Sequence, residues 1–479
     1  MSGVLLESLQ FWWPEVILSV GGLLVLLISA FSQGGQRGLV VAWLVLLASA
    51  VALWHVTAPP TSDLFHGLIV CDPLSLVFRW LALGTAIIVT LLLMGSRDVA
   101  ATIRAESVGL LLLITVGLMV MAEADHLLMA YVGMELVSLG SYVLVGFLND
   151  RRSAEGSLKY LLVGALSSGI MLFGMSLLFG LTGQLAFPDL LRATTGLAGP
   201  MASALFVSVT LILVGLGFKI SMVPFHLWTP DAYEGAPIPV TAFLSVGPKA
   251  AGFALLMRFM AALSPAWPTL APLVLGLTII TMTLGNLAAL VQTNVKRLLA
   301  YSTIAQVGYL LIGFVVHTSQ GLQGVLMYLV AYLFMNLGAF ACVVAVADAT
   351  GSESLDAFRG LAKRAPGLAL MCTVFLLSLA GLPPLVGFLG KFLLFGAAIE
   401  AQWVGLALAG IINSAITLYY YVNIIRLMYV GAPGENAAVH PVLPLRLALG
   451  VCVVCTLGLG LYPGPLLSLL QGALSINLL

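Results

Sequence analysis

The polar chemistry of this sequence is concentrated in one stretch, KISMVPFHLWTPDAYEGAPIPVTAFLSVGPK, which runs from Lys219 to Lys249. Both lysines are set in apolar sequence, and prolines, a histidine, an aspartate and a glutamate lie between them. Burial disfavours the charged form of a lysine, whereas a neighbouring carboxylate favours it. A lysine that moves between these two environments alternates between holding and releasing a proton, so the stretch points to proton transfer.

Other charged residues also interrupt apolar segments. Glu135 is the clearest acid, and the basic residues are Arg79, Lys159, Lys219, Lys249, Arg258 and Lys391. A charge at the centre of a lipid-facing helix costs about 2.5–3.5 kcal/mol on insertion scales, so we expect the deep ones to face the bundle interior or water. The deepest are Glu135, Lys219, Lys249 and Lys391. Lys159 and Arg258 lie near span ends and can instead extend to the membrane surface, and Arg79 can pair with Asp72.

The composition identifies the elements that must position these residues. The chain has 479 residues, of which 61% are hydrophobic and 8% charged, and its mean hydropathy is +1.13. Apolar runs of about 20 residues recur from end to end, which favours membrane-crossing helices over the shorter alternating strands of a barrel. We therefore predict an all-α polytopic membrane protein of about fourteen spans. The N-terminus lacks the basic region of a secretory signal, so its apolar run is interpreted as a retained first span.

The basic residues of the loops predict the orientation of the chain. Loops on one side carry almost all of these residues, whereas loops on the other side carry Arg192 alone. The first side is cytoplasmic by the positive-inside rule, which places both termini outside. Its basic residues are Arg37, Arg97, Arg104, Arg151, Arg152, Lys296, Arg297, Arg359, Lys363, Arg364, Arg426 and Arg446. The longest loop, around residues 348–366, has room for a short surface helix at most.

Prolines predict a break in two of the spans. In span seven, Pro224 removes the amide that would bond the carbonyl of Ile220, next to Lys219. In span twelve, Pro383 and Pro384 free the carbonyls of Leu379 and Ala380, about two turns before Lys391. A kink used only for packing explains one such helix, but it explains two broken helices with deep lysines poorly. Irregular backbone at this depth is tolerated where it is buried or lines a wet cavity.

The two predicted breaks are five spans apart, so the chain enters one from outside and the other from inside. An odd number of spans between two equivalent elements is the relation that an inverted repeat requires. We predict four segments: an N-terminal three-helix segment (1–106), a first five-helix repeat (107–263), a second, inverted five-helix repeat (268–430) and a C-terminal helix (431–479). The second repeat is less charged, because Gln306 and Asn413 occupy positions that correspond to Glu135 and Lys249.

His226 lies seven residues after Lys219, on the same face if the helix continues past Pro224. Its ordinary titration near neutrality suits a relay to the cytoplasmic surface, although a histidine at a span end is more often bonded to backbone. Asp231 and Glu234, in the following turn, either cap span eight or collect protons.

The sequence lacks the residue patterns that several other chemistries require. It has no paired histidines four residues apart within a span for haem, no nucleotide-binding glycine loop and no cysteine cluster for iron and sulfur. Its five cysteines are scattered and suit packing. The formal net charge of zero gives no reason to expect nucleic acid as a partner. The chain by itself therefore performs no redox chemistry and needs no cofactor or metal.

Three motifs resemble the antiporter-like membrane subunits of respiratory complex I. They are PFHLWTPDAYEGAPIPVTAF between Lys219 and Lys249, NVKRLLAYSTIAQVGYLLIG, and LSLAGLPPLVGFLGKFLLF. The resemblance covers most of the chain, and TPDAYEGAP, Lys391 and NSAITLYYYVNIIRLMY are most similar to the smallest of these subunits.

This resemblance implies a proton-translocating subunit of NADH-quinone oxidoreductase in the bacterial inner membrane. Other complex I subunits are then its partners, and they hold NADH, FMN, iron-sulfur clusters and quinone. The proton path that it implies consists of Glu135, Lys159, Lys219, Lys249 and Lys391. It also matches His226 to the family's motif histidine. The alternatives are a subunit of a cation/proton antiporter or membrane-bound hydrogenase, in which the path runs without quinone, and a stand-alone solute transporter.

Overall fold

The computed structural model describes residues 2–31, 35–56, 62–432 and 438–474. Its helices in the first half are α1 (Ser2–Phe11), α2 (Trp13–Phe31), α3 (Gln36–His55), α4 (Pro73–Gly95), α5 (Arg104–Glu123), α6 (Leu127–Val145), α7 (Arg151–Thr182), α8 (Phe187–Thr194), α9 (Pro200–Ile220), α10 (Trp228–Gly235) and α11 (Ile238–Ala262). Those in the second half are α12 (Trp267–Leu290), α13 (Val295–Val316), α14 (Ser319–Thr350), α15 (Leu361–Arg364), α16 (Pro366–Ala380), α17 (Val386–Glu400), α18 (Val404–Val430), α19 (Leu443–Leu461) and α20 (Gly464–Ala473).

In the described part of the chain, 13 helices are long and apolar enough to cross a membrane. Helices α16 and α17, of 15 residues each, follow one another across a break and together supply one more crossing. The prediction of an all-α polytopic membrane protein with about fourteen spans is confirmed. The last of these spans is α19, which ends at Leu461, and α20 follows it as a separate helix.

Both predicted discontinuities are present, and backbone caps define where they begin. Helix α9 ends at Ile220 because Ser221 adopts a left-handed conformation with φ of 65°, three residues before Pro224. Helix α16 ends at Ala380, where Gly381 has φ of 88°, and α17 starts after Pro383 and Pro384. In chain order the two broken spans run in opposite directions, as an inverted repeat requires.

Helix α11 lies at the centre of the molecule and is almost wholly buried. It packs against α4, α5, α9 and α14, and α13 and α14 are nearly as buried. Helices α3, α18 and α19 instead expose many large apolar side chains, which is the pattern of a lipid-facing surface. The central helices thus form the place where a charged side chain avoids lipid.

Short elements occupy the loops. An antiparallel hairpin pairs Ser62–Leu64 with Ile69–Cys71. The predicted surface helix of the long loop is present as a 3-10 turn, Leu355–Phe358, followed by α15.

The division into four segments stays a prediction. Residues 1, 32–34 and 57–61 of the first segment and 433–437 and 475–479 of the last lie outside the described residues, as do both chain termini.

Candidate functional site

Lys219 lies in the last turn of α9 and is only 1% exposed. Its Nζ donates hydrogen bonds to Ser138 Oγ at 2.7 Å and to the carbonyl of Met134 at 3.2 Å. Both partners belong to α6 and flank Glu135 in the sequence. The Glu135 carboxylate accepts a hydrogen bond from Ser168 on α7. The structure therefore brings Lys219 to the turn of α6 that carries Glu135 and bonds the ammonium to neutral groups of that turn.

Lys249, in the middle of α11, is also 1% exposed. Its Nζ donates to Ser221 Oγ at 2.9 Å and to Tyr233 Oη at 2.8 Å. It lies 5.6 Å from the centroid of the Trp228 ring, close enough for a cation–π interaction. Because Ser221 is the left-handed residue that ends α9, the helix break itself supplies a ligand for this ammonium. Lys219 thus lies in the last turn before this break, and Lys249 bonds to the residue that forms it.

Lys391 contacts the second break. Its Nζ donates to the carbonyls of Leu379 at 3.2 Å and Ala380 at 3.1 Å, the two that the prolines free. The ammonium also lies 4.3 Å from the centroid of the Tyr309 ring. Gln306 donates to the same Leu379 carbonyl at 3.2 Å, so the α13 amide and the α17 lysine share an acceptor.

The three deep lysines therefore have a common environment. In the part of the chain that the structure describes, each is bonded to hydroxyl or carbonyl oxygens. Neutral acceptors stabilise an ammonium less than a hydrogen-bonded carboxylate does, so these three lysines differ from cations that are held in ion pairs.

Lys159 has a different environment. It is half-exposed near the start of α7 and pairs with Glu155 at 2.7 Å and Asp231 at 2.8 Å. Arg297 of α13 also binds Asp231, at 2.9 Å. Burial raises the pKa of Asp231, but the hydrogen bonds from Lys159 and Arg297 outweigh it and hold that pKa below its usual range.

Glu234 belongs to the same cluster. Its carboxylate binds Arg297 at 2.6 Å and also Arg152. Asp231 and Glu234 are thus engaged in ion pairs that tie α10 to α7 and α13.

His226 lies in the segment between α9 and α10 and is 7% exposed. Helix α9 ends at Ile220, so the condition under which His226 would share a helical face with Lys219 is not met. Left-handed Ser221 turns the chain before the histidine is reached.

The structure shows buried acids that sequence reasoning missed. Glu15 and Glu123 are fully buried and both contact Arg79, at 2.6 Å and 3.0 Å. The expectation that Arg79 pairs with Asp72 is wrong, because α2 and α5 bring glutamates to it. Arg258 does not extend to the surface but binds Asp72 at 2.8 Å. The sequence signal that could have identified them is a glutamate near the end of an apolar run, since Glu15 lies near the start of α2 and Glu123 at the end of α5.

The second repeat contains an uncharged network beside Lys391. Asn286 donates to Tyr309 Oη at 3.0 Å and to Asn413 Oδ1 at 3.1 Å. Tyr309 in turn bonds Thr417 at 2.8 Å. Amides and hydroxyls of this kind order water without carrying a fixed charge. Among the described residues no group of three or more His, Cys, Asp or Glu side chains could hold a metal ion.

Comparison with known proteins identifies the fold and its family. Residues 124–417 match the family model for the transmembrane region described as NADH:quinone oxidoreductase/Mrp antiporter. This chain belongs to that family. The match includes both helix breaks and all three deep lysines.

Relatives in the NADH:quinone oxidoreductase/Mrp antiporter family align over nearly the whole chain. The NADH-quinone oxidoreductase subunit N of an Anaeromyxobacter strain is 42% identical, over 98% of this chain and 97% of that protein. The NAD(P)H-quinone oxidoreductase subunit 2 of Gloeobacter violaceus is 40% identical, over 96% and 92%. The resemblance seen in the sequence motifs is thereby confirmed.

Solved structures give the same result. A chain of respiratory complex I from Thermus thermophilus with bound aureothin matches with a TM-score of 0.81 and 34% identity, over 95% of this chain and 98% of that one. A chain of the Mrp complex from a Dietzia strain matches with a TM-score of 0.84 over 98% and 97%. At 24% identity the Mrp chain shows a shared fold alone.

Proposed function

We propose that this chain is a proton-translocating subunit in the membrane arm of an NADH-quinone oxidoreductase. The observation that carries the proposal is the set of three buried lysines, each bonded to neutral oxygens and each at a helix break or facing one. Relatives at 42% and 40% identity are named NADH-quinone oxidoreductase subunit N.

The proposed path runs through Glu135, Lys159, Lys219, Lys249 and Lys391. An ammonium held by hydroxyls and carbonyls releases its proton when a neighbouring positive charge arrives and regains one when that charge leaves. The helix breaks support this cycle because the Ser221 hydroxyl and the carbonyls of Leu379 and Ala380 remain in place as hydrogen-bond acceptors whether the neighbouring lysine is charged or neutral. Protons then move without a change in the fold of the bundle.

Partner subunits supply the energy. Each charge moved against 100 mV requires about 2.3 kcal/mol, which this chain has no means of generating. Oxidation of NADH and reduction of quinone in subunits that hold FMN and iron-sulfur clusters provide it. The membrane is the bacterial inner membrane, with the basic loops in the cytoplasm and both termini outside.

The decisive experiment measures NADH-driven proton uptake into proteoliposomes that contain the purified complex. We expect Lys219→Ala and Glu135→Ala each to lower the initial uptake rate by about half or more, because each removes a proton-holding group. The matched control is Lys363→Ala, which removes an exposed loop lysine.

Assembly of each variant is checked by the amount of this chain in the purified complex. Uptake at the wild-type rate in both Lys219→Ala and Glu135→Ala removes this pair from the path. Proton movement that follows an imposed sodium gradient and ignores NADH indicates the antiporter class instead.

A further inference from the structure

A second group of buried charges lies on the side of the molecule opposite the basic loops. Arg79, in the second turn of α4, is fully buried between Glu15 of α2 and Glu123, the last residue of α5. It donates from Nε to Glu15 Oε1 at 2.8 Å and from Nη2 to Glu15 Oε2 at 2.6 Å. Glu123 Oε1 lies 3.0 Å from the same Nε. Two carboxyl groups thus flank one guanidinium, with an oxygen of each beside the same nitrogen.

The hydrogen bonds of this group lack one hydrogen. Arg79 Nε carries a single hydrogen, and Glu15 Oε1 accepts it. Glu123 Oε2 accepts from Trp12 Nε1 at 2.9 Å, but among the described residues no hydrogen bond ends on the buried Glu123 Oε1. A buried oxygen without a donor loses its hydration and gains nothing in return. A proton on Glu123 Oε1 removes this cost, because a carboxylic acid donates a hydrogen bond and a carboxylate does not.

The charges around the pair lead to the same result. Asp72 and Arg258 are buried beside it and bind each other at 2.8 Å, so they balance one another. Arg258 reaches the pair through the carbonyl of Ala122, the neighbour of Glu123, to which its Nε donates at 2.7 Å. With both glutamates ionised, three buried carboxylates would face two guanidiniums. A net buried charge is costly, and one of two adjacent carboxyl groups holds its proton for that reason.

Two further titratable groups face this cluster. The Sγ of Cys71, at the end of the hairpin, lies 4.0 Å from Arg79 Nη1. Asp125, half-buried after α5, interacts electrostatically with Arg258. A thiol is neutral near pH 7, and an aspartate adds negative charge. Neither group therefore supplies the positive charge that the two glutamates lack.

A proton fits this site better than a metal cation does. The guanidinium beside both carboxyl groups repels a cation, and within the described ranges no cluster of His, Cys, Asp or Glu has the composition of a metal site. An apolar cover also separates the pair from the aqueous surface, because Phe11 and Trp12 pack against Leu64 and Ile69 of the hairpin.

We propose that Glu123 binds a proton and shares it with Glu15, which makes a proton-binding site separate from the lysine path. Glu123 Oε1 donates this hydrogen to Glu15, and the one remaining negative charge is balanced by the two hydrogen bonds from Arg79. The shared proton joins α2 to α5 and so holds the N-terminal helices to the central bundle. The site goes beyond the proposed function, because neither glutamate belongs to the proposed path.

Amide substitutions in the purified complex test where the proton lies. Glutamine matches the shape of a protonated glutamic acid and donates a hydrogen bond without a charge. We expect Glu123→Gln to keep the wild-type thermal midpoint near neutral pH. Glu15→Gln points amide hydrogens at the guanidinium and should lower both the midpoint and the amount of assembled complex. The control is Glu106→Gln, near the opposite end of α5, which should match the wild type.

The pH dependence of stability gives a second measurement. The native pair binds one proton more than two ionised glutamates of an unfolded chain, so stability falls as the pH rises above neutral. We expect the thermal midpoint of the wild-type complex to fall more steeply with pH than that of Glu123→Gln, whereas Glu106→Gln keeps the wild-type slope.

Infrared spectroscopy detects the proton itself, because the carbonyl band of a carboxylic acid is separate from the bands of a carboxylate. We expect the difference between the wild-type and Glu123→Gln complexes to contain one carboxylic acid band, and the difference between the wild-type and Glu106→Gln complexes to lack it. NADH-driven proton uptake in Glu123→Gln should stay at the wild-type rate.

Three results would overturn this inference. Glu123→Gln may not lose a carboxylic acid band relative to the wild type, or it may be as unstable as Glu15→Gln; either result means that Glu123 is ionised. A wild-type midpoint that rises with sodium concentration, and does not do so in Glu123→Gln, identifies a metal cation in place of the proton. Impaired uptake by an assembled Glu123→Gln complex would put this residue in the lysine path. The proposed function is judged separately, by Lys219→Ala and Glu135→Ala.

Discussion

At the residue scale, buried charges in this chain fall into two classes. The three deep lysines bond neutral oxygens, whereas Arg79 and Arg258, near the span ends opposite the basic loops, bind carboxylates. An ion pair fixes its charges, while neutral acceptors let a proton leave and return. The difference in partners therefore separates structural cations from those suited to translocation.

Replacing Arg79 tests the structural class. Arg79→Met leaves Glu15 and Glu123 buried without a counter-charge, which costs about 3–5 kcal/mol when a buried pair is broken. We expect a marked fall in the amount of assembled complex and in its thermal midpoint. The control is Arg192→Met, which breaks an exposed pair with Asp189 and should leave both quantities unchanged. An Arg79 variant as stable as the wild type would show that the glutamates are neutral.

At the element scale, the two helix breaks supply hydrogen-bond acceptors to two of the deep lysines. Ser221 both ends α9 and accepts from Lys249, and the end of α16 presents its last carbonyls to Lys391. Helix ends leave carbonyls without intrahelical partners, and at the end of α16 Lys391 satisfies two of them. Each discontinuity is therefore a binding site for an ammonium.

Gly381 provides a test of the second break. Its φ of 88° disfavours any side chain, and an added Cβ would lie 2.8 Å from Lys391 Cδ. We expect Gly381→Ala to displace Lys391 from its carbonyls, to destabilise the chain by about 1–2 kcal/mol from backbone strain, and to lower NADH-driven proton uptake. Thermal unfolding and uptake assays of the purified complex measure both effects.

Gly367→Ala is the matched control on the same helix. A Cβ at Gly367 meets no atom within 4 Å, so stability and uptake should remain at wild-type values. Equal behaviour of the two variants would contradict a role for the Gly381 backbone in positioning Lys391.

At the scale of the whole molecule, α11 connects three levels of the bundle. At the basic-loop side, the amide of its first residue, Ile238, donates to Asp98. Lys249 lies at its middle, and Arg258 near its other end binds Asp72. A helix fixed at both ends holds the central lysine at a set depth. Helix α11 thus carries two buried cations, Lys249 bonded to neutral oxygens and Arg258 paired with a carboxylate.

The orientation of the molecule is testable by labelling. We expect a membrane-impermeant maleimide added to intact cells to label Arg192→Cys, because the positive-inside rule places α8 outside. Lys363→Cys, at an exposed position of α15, should react only after the cells are permeabilised. The reverse pattern would invert the predicted topology.

The sequence by itself determined the fold class, the two breaks and the deep lysines. Apolar runs separated by basic loops admit few arrangements in a bilayer, and prolines beside lysines mark broken helices. The sequence also predicted that the carbonyls of Leu379 and Ala380 lack helical partners, because the prolines four residues later have no amide hydrogen to donate. These are local constraints that depend only on spacing along the chain.

Only the tertiary structure decided which groups meet. Glu15 and Glu123 are far apart in sequence, yet both reach Arg79, and Lys296 in a predicted loop proved to be buried between Glu353 and Ala236. The position of His226 depended on where α9 ended, which was set by the conformation of Ser221. Side-chain partners follow from the packing of distant helices, and that packing is not encoded in any one segment's periodicity.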